Sequence, residues 1–187
     1  MMLRQEAIEA LAKARNGALS VAIMQSCAPW HDAGQADDYH LDAQGCMGSA
    51  SSIGLGLALA CPDRKVMVLD GDGSLLMQLG SLVTVADTSP PNFYHFVFGN
   101  GLHQSTGNQP LPAVERCDLC QIAKGAGYRD AVTFEEKDAL ERALPGILSS
   151  PGPILVRLGI AREDDVVRWP RGEHMHDMVR RVRAALA

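Results

Sequence analysis

The sequence predicts a three-layer α/β/α domain built on a mainly parallel sheet. Three observations predict it: short runs apolar on successive rather than alternate residues, helix-compatible segments between them, and Gly or Pro at most junctions. The runs cover residues 19–24, 65–69, 93–98 and 154–158. Strands buried on both faces read this way, and parallel sheets sandwiched between helices contain such strands.

The first element is a helix over residues 2–16, where Leu3, Ala7, Ile8 and Leu11 recur at helical spacing before Gly17, a common residue just past a helix end. Helices follow at 47–60, 74–87, 118–125 and 135–149, so the order reads β-α-β-α-β-α-α-β after the first helix. Residues 166–171 read as irregular. Residues 173–186 form a C-terminal docking helix, with an apolar stripe at Met175, Met178, Val179, Val182 and Leu186. Residues 25–46 have no periodicity. A gap of that length inside a compact domain is usually functional, and its place at the carboxyl end of the first strand favours that reading.

A chain of 187 residues, 47% apolar and 21% charged, buries roughly 70% of the surface of its unfolded form, so residues 1–187 are expected to form one domain. A net charge of −5 argues against nucleic acid as partner. No apolar run approaches the ~20 residues that span a bilayer, and the charged, amphipathic start is unlike a secretion signal, so a cytoplasmic protein is expected. The five cysteines are an odd number and mostly lie in apolar stretches, as small core residues do in a reducing compartment. Cys117 and Cys120 form the one Cys-x-x-Cys, without the second pair that a zinc site requires.

The sharpest local signal is Asp70-Gly71-Asp72-Gly73-Ser74, where a buried strand runs into a Gly-Asp-Gly turn and then a helix. The glycines let a ligand approach the backbone, and a helix start offers N–H groups to an anion. A carboxylate there repels an anion unless a cation lies between them, which points to a diphosphate held through Mg²⁺. The next buried strand ends in Gly99-Asn100-Gly101-Leu102-His103, and in a parallel sheet its end lies beside Asp72. Asp72, the Asn100 amide oxygen and a loop carbonyl such as that of Leu102 would give one cation three of the six oxygens Mg²⁺ takes.

This combination resembles the diphosphate-binding motif of thiamine-diphosphate enzymes, and Gly45-Cys46-Met47-Gly48 is similar to the family's segment against the aminopyrimidine ring. The likeness spans roughly residues 20–158. Within the superfamily, the stretch from Asn100 to Gln109 looks most like the beta subunit of sulfopyruvate decarboxylase and its relative phosphonopyruvate decarboxylase. The resemblance implies Asp72, Asn100 and the Leu102 carbonyl as Mg²⁺ ligands. Gly71, Gly73 and Ser74 would lie against the diphosphate. The Gly45 carbonyl and the Met47 backbone would hold the aminopyrimidine, with the Met47 side chain wedging the cofactor into its bent form.

The resemblance also implies a partner, because in this family a separate pyrimidine-binding domain supplies the glutamate that activates the cofactor. One domain of 187 residues leaves no room for it, so a hetero-oligomer is expected, acting on a small anionic 2-oxoacid and giving an aldehyde and CO₂. A carboligase or 2-oxoacid oxidoreductase subunit, and a non-catalytic module of the same fold, are the alternatives. The chain departs from the pattern at Gly99, where Asn is common, and at Pro29-Trp30-His31-Asp32, where relatives carry a Ser-Arg-Glu-like segment. Residues 16–63 contain no Lys or Arg. His31 and His103 are therefore the candidates for substrate contact or proton transfer.

Other features read more simply. Gly54-Leu55-Gly56 follows no strand and reads as close helix packing; His95 as a hydrogen-bonded core residue; His174 and His176 as a solvated helix start; Asp37, Asp38, Glu163, Asp164 and Asp165 as solvated charge. Neither a P-loop nor a Gly-x-Ser-x-Gly elbow is present.

Overall fold

The computed structural model describes residues 1–163 and 173–187, and the irregular segment expected at 166–171, like Asp164 and Asp165, lies outside them. The elements in chain order are α1 (Arg4–Ala14), β1 (Leu19–Ala22), a 3₁₀ turn (Met24–Ser26), α2 (Cys27–Asp32), β2 (His40–Asp42), α3 (Ala50–Ala60) and β3 (Val66–Gly71). Then come α4 (Asp72–Met77), α5 (Ser81–Thr88), β4 (Phe93–Gly99), β5 (Leu102–His103), a second 3₁₀ turn (Gln104–Thr106) and β6 (Gln109–Pro110). The chain finishes with α6 (Leu119–Ala126), β7 (Asp130–Phe134), α7 (Lys137–Ser149), β8 (Ile154–Gly159) and α8 (Met175–Leu186).

Six strands form a parallel sheet in the order β2-β1-β3-β4-β8-β7, while β5 and β6 make a small antiparallel ribbon. Side chains alternate across the pleat, so Val66 and Val68 enter one apolar cluster with residues of α3, α5 and α6. Met67 and Leu69 enter the other, with residues of α1, α2 and α7. The expected three layers are thus present, and β1, β3, β4 and β8 match the four apolar runs.

Four expectations are corrected. The gap at 25–46 is not a featureless loop: it contains a 3₁₀ turn, α2 and the edge strand β2. The segment 74–87 is two helices, because Gln78 leaves helical geometry at φ −140° and α5 begins after Gly80. β7 stands between α6 and α7, where the sequence reads helix after helix; as an edge strand it buries Ala131 fully and leaves Asp130 and Thr133 at the surface. Asp37 is no free surface charge either, since it takes two hydrogen bonds from the buried Arg15 guanidinium, at 2.7 and 3.0 Å.

Glu163, read as solvated charge, faces the buried Arg4 guanidinium at 3.6 Å. Gly17 lies past α1 with φ +73°. A Cβ on Gly54 would come within 2.2 Å of Val68 Cγ2, so α3 packs on β3 as closely as a glycine permits. His95 is fully buried between Asp70 and Tyr128. α8 buries Met178 and Val182 and docks beside β2, where Arg181 donates to the Asp37 and His40 carbonyls, while Val179 of the expected stripe is exposed. No helix among the described residues is long and apolar enough to cross a membrane.

Candidate active site

β3 and β4 are neighbours with Gly71 opposite Phe98, so the turns that follow them emerge side by side at the carboxyl edge of the sheet. Asp72 is the first residue of α4 and is buried, not loop-exposed. Its Oδ1 accepts from the Gly73 N–H and its Oδ2 from the Gly101 N–H, both at 2.8 Å. Burial pushes its pKa up, opposed by these two hydrogen bonds and by the Arg157 and His103 charges. The carboxylate is thus buried, with backbone N–H groups and neighbouring positive charge offsetting part of its desolvation.

The Asn100 amide is held at both ends. Its Oδ1 accepts from the Leu102 N–H at 3.0 Å, and its Nδ2 donates to Gln104 Oε1 at 3.2 Å. The same Gln104 oxygen accepts from Arg4, and Gln104 Nε2 donates to the Glu163 carbonyl at 2.7 Å. Gln104 therefore fixes which end of the amide faces outward, and Arg4 fixes Gln104.

One cavity at this edge is bordered by Met47, Gly71, Asp72, Gly73, Ser74, Asn100, Leu102 and His103, eight of the ten residues singled out from the sequence. Gly73 is required there, since a Cβ would lie 2.7 Å from His103 Nδ1 and 3.2 Å from Leu111 Cδ2. Ser74 Oγ accepts from the Gly48 N–H at 2.9 Å, which ties the Gly-Cys-Met-Gly segment to α4. Gly45 lies just outside this lining, with φ +78° and its N–H directed at Met24 Sδ. Met24 itself adopts φ +48°, an uncommon conformation for an unbranched apolar residue and a mark of local strain in the cavity wall.

His31 is not brought to the cavity. Its Nε2 lies 2.6 Å from Asp42 Oδ2, and it is not among the residues that border the cavity. A cation does line the cavity: Arg4, the first residue of α1, is almost fully buried in its wall. Burial lowers its pKa, opposed by Glu163 and Asp72. The helical spacing of Leu3, Ala7, Ile8 and Leu11 does not single out Arg4. Arg157 packs over Gly99, where a Cβ would lie 3.1 Å from its Nε.

The family profile "Thiamine pyrophosphate enzyme, C-terminal TPP binding domain" matches residues 23–158. The chain belongs to this family. It is 46% identical over 123 residues to the phosphonopyruvate decarboxylase of Streptomyces hygroscopicus, covering 66% of this chain and 30% of that protein. It is 47% identical over 105 residues to the sulfopyruvate decarboxylase subunit beta of Methanocaldococcus jannaschii, covering 56% of this chain and 55% of the relative. The match therefore covers between 30% and 55% of the length of these curated relatives. The fold matches that of the thiamine diphosphate-dependent 4-hydroxybenzoylformate decarboxylase of Rhodococcus jostii RHA1 with a TM-score of 0.73 at 18% identity, over 87% of this chain and 33% of that one.

Proposed function

We propose that the chain is the diphosphate-holding subunit of a thiamine-diphosphate-dependent 2-oxoacid decarboxylase, with Mg²⁺ between Asp72, Asn100 and the Leu102 carbonyl. The observation that carries this reading is the convergence of those three residues on the cavity that Met47, Gly73 and Ser74 also line. The donors are all oxygens, and one is a buried carboxylate, the hard donor set that Mg²⁺ takes. Similarity to relatives named phosphonopyruvate and sulfopyruvate decarboxylase supports the reaction class.

Bound thiamine diphosphate supplies the electron sink that lets a 2-oxoacid release CO₂ as an aldehyde forms. The protein's part is positioning. Gly73 keeps the backbone bare beside the diphosphate, and Ser74 Oγ–H has a proton to donate while its lone pair holds Gly48. Met47 sets the cofactor's bend. His103, lining the cavity, is placed to hold or deliver a proton. Arg4 gives the distal anion of the substrate a fixed cation in a low-dielectric wall. The activating glutamate comes from a pyrimidine-binding partner subunit, so the isolated chain is inactive and the working enzyme is a hetero-oligomer, with residues 1–187 as one domain of it.

The test is coexpression with the protein of the adjacent reading frame, followed by a screen of 2-oxoacids for CO₂ and aldehyde. Sulfonate- or phosphonate-bearing 2-oxoacids are expected to turn over. Carboligation products in place of aldehyde would move the protein to the acetolactate synthase side of the superfamily, where more distant relatives lie at 30% identity.

A further inference from the structure

Among the described residues one group of three ligating side chains lies close enough to share an ion: His31, His40 and Asp42, whose ligand atoms all fall within 4.8 Å of one another. Asp42 bridges the two imidazoles, with Oδ2 at 2.6 Å from His31 Nε2 and Oδ1 at 2.9 Å from His40 Nε2. His40 and Asp42 are two apart on β2, so the pleat puts them on one face, and the end of α2 brings His31 over them. We propose that this cluster is a second metal site, separate from the cofactor cavity, which takes one Zn²⁺-class transition-metal ion on two imidazole nitrogens and a carboxylate.

Four features carry the assignment. Two nitrogens and one carboxylate suit Zn²⁺, Co²⁺ or Ni²⁺ and suit Mg²⁺ poorly. His40 Nδ1 lies 2.8 Å from Ser20 Oγ, which also accepts from Trp30 Nε1 at 3.2 Å, so the ring is held from behind and its Nε2 is aimed at Asp42, as outer partners hold a ligating imidazole. His31 keeps 28% of its side chain exposed, which gives an ion a way in and leaves room for water as a fourth donor. The neighbouring cations are already paired, Arg15 with Asp37 and Arg181 with Asp38 and Glu173.

The competing description is a hydrogen-bonded network in which Nε2 protons occupy the place of the ion. Metal entry moves those protons to the Nδ1 atoms, and protonation of either imidazole competes with the ion. The ion would clamp α2 to the edge strand β2, next to the 3₁₀ turn whose Met24 and Ser26 line the cofactor cavity.

The experiment uses the tag-free full chain, stripped with chelator, in excess Mg²⁺ and without thiamine diphosphate. Zn²⁺ is titrated by calorimetry and Co²⁺ by visible absorption. One equivalent of Zn²⁺ is expected, with a Co²⁺ spectrum of four- or five-coordinate intensity and a raised melting temperature. His31→Gln, at the open end of the cluster, is expected to keep its circular dichroism and to lose at least tenfold in Zn²⁺ affinity. His174→Gln/His176→Gln is expected to change neither. Absence of Zn²⁺ binding in excess Mg²⁺, or affinity unaltered by His31→Gln but removed with His174 and His176, would overturn the site.

Discussion

Asp72 Oδ2 accepts a hydrogen bond from the Gly101 N–H at 2.8 Å, joining the start of α4 to the turn after β4. The bond holds the carboxylate toward the Asn100 loop before any ligand arrives. Gly101 has φ +75°, and a Cβ there would lie 2.7 Å from Val114 Cγ2, so only glycine presents its N–H at this place without strain.

Gly73→Ala tests the tightness of the cavity. The new methyl would come within 2.7 Å of His103 Nδ1, so the imidazole must swing away. Thermal melting is expected to change little, because the ring is half-exposed and can move, while turnover by the assembled enzyme falls. Unchanged turnover would remove His103 from the reaction.

Met47→Ala is expected to lower turnover more than cofactor affinity, since the diphosphate anchor at Asp72 and Asn100 is untouched. Misplacing reacting atoms by about 1 Å reduces rates on the order of 10²-fold. Steady-state kinetics beside a cofactor titration separates the two; equal kcat would make Met47 ordinary packing.

Arg4→Gln removes the buried cation of the cavity wall. A hydrogen bond to a charged group contributes about 1.5–3 kcal/mol, so KM for an anion-bearing 2-oxoacid is expected to rise roughly tenfold or more while that for an uncharged-tail analogue stays level. Similar changes for both would assign Arg4 to holding Gln104 alone.

Two glycines of α3 make a paired test of packing. Gly54→Ala drives a methyl into Val68 and is expected to destabilise by about 1–3 kcal/mol, whereas Gly56→Ala meets nothing within 4 Å and is expected to stabilise by about 0.5–1 kcal/mol. Thermal melts of the two variants should therefore move in opposite directions. Neither should alter cofactor affinity.

Much of this architecture is legible in the sequence because β1, β3, β4 and β8 are buried on both faces, and such strands are apolar at most successive positions. β7 and β2 are edge strands, where half the residues face water or a polar cluster, and Asp130 or His40-Leu41-Asp42 carries no strand signal in composition. The cavity is legible where neighbouring elements hold its residues: Asp72 and Asn100 end adjacent strands, and their spacing alone brings them together. The placement of Arg4 and His31 is not legible, because their partners, Gln104 and Asp42, meet them only through the tertiary fold. Local periodicity carries no record of that.

The most direct measurement is a thiamine diphosphate titration by calorimetry, in the presence and absence of Mg²⁺, on the enzyme assembled from this chain and its partner, comparing wild type with Asp72→Ala. The account predicts Mg²⁺-dependent binding in the wild type and its loss in Asp72→Ala, with thermal melting showing a folded variant, because removing a buried carboxylate also removes its desolvation cost. Cofactor affinity that is unchanged by the substitution, or indifferent to Mg²⁺ in the wild type, would contradict it.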